Sequence, residues 1–274
     1  MSANPFAVNS AQITDVIQES PSIKTLRLDP KDKFEFSTGQ FAELTVPDKG
    51  EAPFTPSSSM YNTDYIDITI MKTGFVTNHI HQLEPGNRVG LRGPFGNEYP
   101  LEDWKNKDIL IMGGGVGMAP TRSLLLSLLD RKEDFNRIIY LVGARTPKDM
   151  IYKDEVEDWR KYKDVEIIRG VDEVPEGQEW NEEVGLITTL IEKIDINPEN
   201  NPAVVCGPPV MMKFSTLELI DYGYSEENIY LSMEKKMYCG HGQCRHCMIG
   251  NYYTCKDGPV FTYHQIKDEE NIWK

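Results

Sequence analysis

With 274 residues, 39% of them hydrophobic, the chain has material for two modest cores, which excludes overall disorder. A net charge of −14 sets the field of the whole molecule against phosphate backbones and anionic lipid, so neither nucleic-acid binding nor direct membrane insertion is expected. The sequence shows no basic-then-apolar leader and no apolar run near the roughly 18 residues that cross a bilayer, giving the expectation of a soluble, cytoplasmic protein.

From Gln12 to about Pro94 the apolar pattern is short and alternating: QITDVIQ, IKTLRL, QFAELTV and YIDITIM, separated by Pro, Gly, Asp and Ser clusters. In the last of these Ile66, Ile68 and Ile70 fall on one face of a strand. Several such strands predict a small antiparallel barrel. Its loops EAPFTPSS and MKTGFVTNHI hold backbone-permissive and hydroxyl residues, the types that suit a flavin and its phosphates.

From Lys107 the rhythm changes. DILIMG, RIIYLVG, VEIIRGV, PAVVCG and NIYLS read as five buried strands. Between them lie helix-length segments, APTRSLLLSLLD, KDMIYKDEVEDWRKY, GLITTLIEKI and VMMKFSTLELIDYG. This alternation predicts a five-stranded parallel sheet covered on both faces, so the fold class is a β barrel plus α/β. The boundary is expected in LEDWKN, Leu101 to Asn106, and the α/β pattern dissolves after about Ser232. The expected units are therefore a barrel over 1–102, a nucleotide-binding unit over 103–232 and a small C-terminal loop domain over 233–274.

At ILIMGGGVGMAPTRSLL an apolar strand runs into Gly113, Gly114, Gly115 and Gly117 and then into a helix. Glycines there let backbone approach a ligand, and the helix start offers N–H groups to a pyrophosphate. The motif departs from G-x-G-x-x-G, because Pro120 takes the third glycine position, and the next strand lacks the acidic residue that grips a ribose. No G-K-[ST] follows, which excludes a P-loop. VVCGPPVMMKF ends a second strand in Cys206-Gly207-Pro208-Pro209. Ligands collect at the carboxyl ends of parallel strands, so Gly113–Gly117, Gly143–Arg145 and Cys206–Pro209 are expected to border one crevice.

Four of the five cysteines fall in MYCGHGQCRHCMIGNYYTC, at Cys239, Cys244, Cys247 and Cys255. In a reducing compartment such a cluster reads as a metal site. The C-x4-C-x2-C spacing is that of plant-type [2Fe–2S] proteins, with Gly240, Gly242 and Gly250 allowing the loop to wrap. Zinc is the alternative, but zinc sites favour two short knuckles, which this spacing lacks. His241 and His246 are surplus to four thiolates and read as bystanders.

Taken in order, GPFGN, GGGVGMAP, GARTPKDMIYKDE, CGPPVMM, YLSMEKKMYCGHGQCRHC and CKDGPVF resemble the iron–sulfur branch of the ferredoxin–NADP reductase superfamily over essentially the whole chain. That branch contains the dihydroorotate dehydrogenase electron-transfer subunit, the anaerobic sulfite reductase B subunit and the gamma subunits of NAD(P)-linked hydrogenases. The resemblance implies FAD on the barrel, with Phe54, Thr55 and Ser57 beside the isoalloxazine and ribityl chain and Gly74, Val76 and Thr77 near the pyrophosphate. The superfamily's Arg before the Pro-aromatic-hydroxyl motif is here Ala52, preceded by Glu51, so flavin anchoring is expected to differ.

The resemblance also implies NAD(H) or NADP(H) on Gly114, Gly115, Gly117, Met118, Ala119, Pro120, Gly143, Ala144, Arg145, Gly207 and Pro208, with Cys206 as the catalytic residue bordering the hydride path. Arg145 and Arg169 are the arginines placed to meet a 2′-phosphate, while Glu155 and Asp172 read as structural or solvated charges. The implied path runs from NAD(P)H through FAD and the Cys239/Cys244/Cys247/Cys255 cluster to a partner. That partner is expected to be another subunit of a redox complex carrying an iron–sulfur, siroheme or nickel–iron centre. The alternatives are a zinc-stapled scaffold subunit and a self-contained diaphorase.

Overall fold

The computed structural model describes residues 4–273. Six strands form the first unit: β1 (Asn9–Ser20), β2 (Ile23–Pro30), β3 (Phe41–Val46), β4 (Gly50–Phe54), β5 (Ile66–Met71) and β6 (Arg88–Phe95), with a short helix α1 (Phe75–Ile80) between the last two. They pair antiparallel in the order β4-β3-β6-β1-β2-β5, and an isolated bridge from Pro56 to Ile68 brings the two edges together. This is the expected barrel.

Ile66, Ile68 and Ile70 are buried in its core with Ile13, Leu26, Leu28 and Leu44. Each such isoleucine is worth ~1.5–3 kcal/mol relative to exposure. The other face of β5 is not solvated as strict alternation suggests. Asp67 and Thr69 are buried too, because the second unit covers them. Two strands went unread in the sequence. β4 contains Pro53, and β6 contains Gly90, Gly93 and Pro94, residues that dilute the period-two signal.

The second unit holds β7 (Ile109–Gly114), α2 (Met118–Leu129), β8 (Ile138–Ala144), α3 (Val156–Trp159), β9 (Val165–Val171), β10 (Glu183–Val184), β11 (Ala203–Cys206), α4 (Pro209–Tyr222) and β12 (Ile229–Ser232). The five expected strands are all present and parallel, in the order β9-β8-β7-β11-β12, and β10 adds parallel to β9 at one edge. Separate apolar layers fill the two faces of this sheet.

Two of the four anticipated helices shrink. GLITTLIEKI forms only a 3₁₀ segment, Ile187–Lys193, and in KDMIYKDEVEDWRKY only Val156–Trp159 is helical. There Tyr152 adopts a left-handed φ of 55° and is buried against the barrel, so the chain is shaped by the seam between units rather than by helical periodicity. α4 keeps its expected length, with Pro209 in its first turn and Gly223 at φ 115° closing it.

The remaining chain contains β13 (Met248–Ile249) and β14 (Tyr252–Tyr253), a small hairpin, then β15 (Val260–Thr262) and α5 (Tyr263–Ile266). β15 pairs antiparallel with β12, adding a seventh strand that returns the chain to the parallel sheet after the cysteine loop. Among the described residues no helix is long and apolar enough to cross a membrane.

Candidate functional site: two nucleotide crevices and a four-cysteine loop

The barrel side of the site is built where β4 ends. Phe54 and Thr55 are half-buried at its mouth, while Ser57 is fully buried and donates its N–H to the Asp67 carbonyl at 2.7 Å. Beside them α1 packs on β3 and β4. A Cβ at Gly74, the residue before this helix, would meet nothing within 4 Å, so backbone here is open to a ligand. Val76 packs toward the barrel core. The Thr77 hydroxyl turns back to accept from the N–H groups of Thr73 and Gly74, at 2.9 and 2.8 Å, so it shapes the loop itself.

On the parallel sheet, β8, β7 and β11 are adjacent, and register places Gly113 beside Cys206 and Gly114 beside Gly143. The loops expected to share one crevice therefore leave the carboxyl end of the sheet side by side. Gly115 adopts φ 56° with open space about it, whereas a Cβ on Gly117 would lie 2.5 Å from the Cys206 carbonyl oxygen and 2.6 Å from Gly207 Cα. Both neighbours are backbone and cannot yield. Gly117→Ala is expected to push the two turns apart and weaken nicotinamide-nucleotide binding about tenfold or more, with flavin content unchanged; titration of the flavin-loaded protein with NAD(P)+ checks this.

Met118 and Ala119 are buried in the core, so any part they take in binding is through backbone; Pro120 is half-buried. Gly143 and Ala144 end β8, and Arg145 beyond them is exposed, with the Asp172 carboxyl near enough to feel its charge. Arg169 is engaged with Glu182, while Arg145, past the end of β8, is exposed. Glu155 forms a two-point ion pair with Arg122 and is structural, as anticipated.

Gly207 and Pro208 are increasingly exposed past β11, but Cys206 is only 7% exposed. Burial pushes its thiol up to about 12, with the Ser232 hydroxyl partly opposing this and the Glu234 charge adding to it. At neutral pH it is a thiol, suited to packing beside a ring rather than to nucleophilic attack.

The four-cysteine loop is pinned at its base by β12 and β15 and by the Met233 N–H on the Pro259 carbonyl. Gly240 and Gly242, at φ 76° and 82°, fold it so that backbone N–H groups point at sulfur. Gly242 donates to Cys255 Sγ at 3.0 Å, and Gln243 and Cys244 donate to Cys239 Sγ at 3.3 and 3.4 Å. Burial opposes ionisation of Cys239, but these donors and His241 override it and bring its thiol well below the usual range.

Cys247 and Cys255 are buried, while Cys239 and Cys244 are half-buried. Among the described residues no three His, Cys, Asp or Glu side chains gather as ligands of a single ion. Backbone N–H groups directed at Cys239 and Cys255 Sγ suit an iron–sulfur cluster, whose potential such bonds tune. The buried Thr254 hydroxyl and His241 Nε2 lack a protein partner on the same loop, a further sign of a polar guest.

Sequence reasoning missed the seat of this loop. Phe41, Phe95 and Met237 pack against Cys247 and Cys255 on the outside of the barrel. Asn97 clamps the loop's far end, donating to the carbonyls of Asp257 and Val260 and accepting from the Val260 N–H. Glu43, on β3 beside this seat, is fully buried with neither carboxylate oxygen partnered. Burial first, then the nearby Glu51 and Cys239, push its pKa up from 4.5 to about 7 against the pull of Arg92.

At Glu43 the folded state thus holds a proton that the unfolded state has lost between pH 4.5 and 7, and the stability this group contributes falls as the pH rises across that window. Glu43→Gln is expected to remove this slope, worth roughly 2–3 kcal/mol, in denaturant melts at pH 5 and pH 7.5.

Three family models cover these features in order: an oxidoreductase FAD-binding domain over residues 10–99, an oxidoreductase NAD-binding domain over 111–216, and the iron–sulfur cluster binding domain of dihydroorotate dehydrogenase B over 234–267. The sulfhydrogenase 1 gamma subunit of Pyrococcus furiosus is 36% identical, spanning 96% of this chain and 93% of its own length. The chain belongs to the iron–sulfur branch of the ferredoxin–NADP reductase superfamily.

A second member of this branch, the probable NAD(+)-dependent dihydroorotate dehydrogenase B electron transfer subunit of Methanocaldococcus jannaschii, is 32% identical over 93% of this chain and 90% of its own. Among solved structures, one from the NADH-dependent reduced ferredoxin–NADP oxidoreductase shares the fold with a TM-score of 0.75 at 22% identity, covering 97% of this chain and 91% of that one. The superfamily member thus carries FAD-binding, NAD-binding and iron–sulfur domains on one chain, the make-up of an electron-transfer oxidoreductase subunit.

Proposed function

We propose that this protein is the NAD(P)H-facing subunit of a multi-subunit redox complex, dividing paired reducing equivalents into single electrons for a partner subunit of hydrogenase or sulfite reductase type. The observation that carries the reading is the seating of the four-cysteine loop on the outside of the flavin barrel, with both of its ends returned to the nucleotide-binding sheet. When bound, a flavin exchanges a hydride with a nicotinamide and also gives up electrons singly, and a [2Fe–2S] cluster carries one electron at a time.

Each predicted residue has a part in this reading. Phe54, Thr55, Ser57, Gly74, Val76 and Thr77 shape the flavin crevice. Gly114, Gly115, Gly117 and the backbone of Met118, Ala119 and Pro120 cradle the dinucleotide phosphates, and Gly143, Ala144 and Arg145 border its adenosine end. Gly207 and Pro208 leave room for the nicotinamide, and the Cys206 thiol packs beside it and excludes water. Cys239, Cys244, Cys247 and Cys255 would hold the cluster. The units divide at 1–102, 103–232 and 233–274.

Support for a hydrogenase-type partner comes from the sulfhydrogenase gamma subunit, which aligns over almost its whole length. Anaerobic affinity isolation from the native host tests this. Co-elution of a subunit containing nickel–iron, siroheme or further iron–sulfur centres, reducible by NAD(P)H only when this chain is present, is the expected result. Isolation of a lone chain that reduces only small acceptors would refute it.

A further inference from the structure

Along β3, Ala42, Leu44 and Val46 face the barrel core, so Phe41, Glu43 and Thr45 face outward, where Phe41 packs on the cysteine loop. Directly across from Glu43 on β6 stands Arg92, only 5% exposed. Its Nε and Nη2 donate to the two oxygens of Glu51, at 3.0 and 2.6 Å, and Nη1 donates to the carbonyls of Pro5 at 2.9 Å and Cys239 at 3.4 Å. The guanidinium also lies over the Phe95 ring, 5.4 Å from its centre. All three nitrogens are thus committed, and Glu43 is left without a donor. One buried cation therefore joins three separate pieces: the strand leading to the flavin loop, the N-terminal arm and the first cysteine of the cluster loop.

We propose that Arg92 is a positioning residue for electron transfer, holding the Cys239 end of the loop against the barrel and supplying a fixed positive charge that sets the potential of the group bound there. This rests on the reading of the four cysteines as cluster ligands. A cation held near a site that gains an electron favours the reduced form, and burial spares it the screening that an exposed arginine suffers. Glu51 works in the opposite sense, because its carboxylate both holds Arg92 and offsets its charge. The two residues are therefore expected to shift the potential in opposite directions, which a purely mechanical clamp does not do.

The test uses the full chain, prepared anaerobically as wild type, Arg92→Met, Arg92→Lys and Glu51→Gln. Iron and acid-labile sulfide are counted first, and the cluster is then titrated with redox dyes and read by its EPR signal. Arg92→Met is expected to disfavour reduction about tenfold, which for one electron is about 59 mV toward lower potential. Glu51→Gln should move it upward, and Arg92→Lys, which keeps the charge, should stay nearest the wild type.

Shifts of the same sign in Arg92→Met and Glu51→Gln, or no shift in either with iron fully retained, overturn the proposal. Should Arg92→Met fail to hold iron, the Glu51→Gln and Arg92→Lys pair decides, and a Glu51→Gln potential at or below the wild type overturns it. Wild-type protein without iron and sulfide would instead overturn the four-cysteine reading itself, so the two failures are told apart by the metal count.

Discussion

Cys247→Ser is expected to yield a yellow protein that has lost its iron. Cys247 is 1% exposed, lies with Cys255 and is packed beneath by Phe41 and Phe95, so a serine oxygen there is a harder, poorer iron ligand in an apolar seat. The residues proposed to hold flavin and nicotinamide lie on other strands and should be untouched. Reduction of the flavin by NAD(P)H, followed by bleaching of its absorbance, should remain near the wild-type rate, while transfer to the partner falls on the order of a hundredfold or more. Equal loss of both activities would show that the cysteine loop supports the fold rather than the electron path.

The largest stability effect is expected at Arg122. This α2 side chain is 7% exposed and donates to the Ser57 carbonyl at 2.7 Å and to both oxygens of Glu155 at 2.9 Å. It also lies 3.5 Å from Asp67, itself 1% exposed, and above the Tyr152 ring. Arg122 therefore holds barrel, α2 and the Tyr152 segment in one seam. Arg122→Ala takes from Glu155 its two-point partner, leaves the buried Asp67 to Arg27 alone and removes the donor to the Ser57 carbonyl. The loss is expected at about 3–5 kcal/mol, the usual consequence of breaking a buried ion pair from one side. A thermal melt of the flavin-loaded variant should fall by roughly 10 °C. In Glu155→Gln the loss should be smaller, and the double variant should lose less than the two single losses added, because both remove one interaction. A fall of only a degree or two in Arg122→Ala would mean that the seam is held by apolar packing alone.

Chemistry concentrated in short segments was legible in the sequence. Four cysteines in one loop, glycines at the end of an apolar strand and the Cys206 turn each advertise themselves locally, and parallel pairing then brings the last two together. Strands with clean alternation were equally readable, as β5 shows.

The seat of the cluster loop was not legible, because it is assembled from residues far apart in the chain. Asn97 grips Val260 across 163 positions, and Arg92 reaches Cys239 across 147. On β6 a buried arginine between glycines carries no hydrophobic signature, and a buried Glu43 reads in sequence as an exposed strand residue. The short helix Val156–Trp159 has a related origin, because the chain before it takes its shape from burial of Met150 and Tyr152 at the seam between units, which local periodicity cannot report.

On the proposed function a flavin and a diiron cluster sit together on this one chain. The most direct measurement is the flavin, iron and acid-labile sulfide content of anaerobically purified protein, together with its EPR spectrum after NAD(P)H reduction. One flavin, two irons, two sulfides and a single-electron cluster signal per chain are predicted. Stoichiometric zinc with no sulfide, or an iron site that NAD(P)H never reduces, would contradict the account.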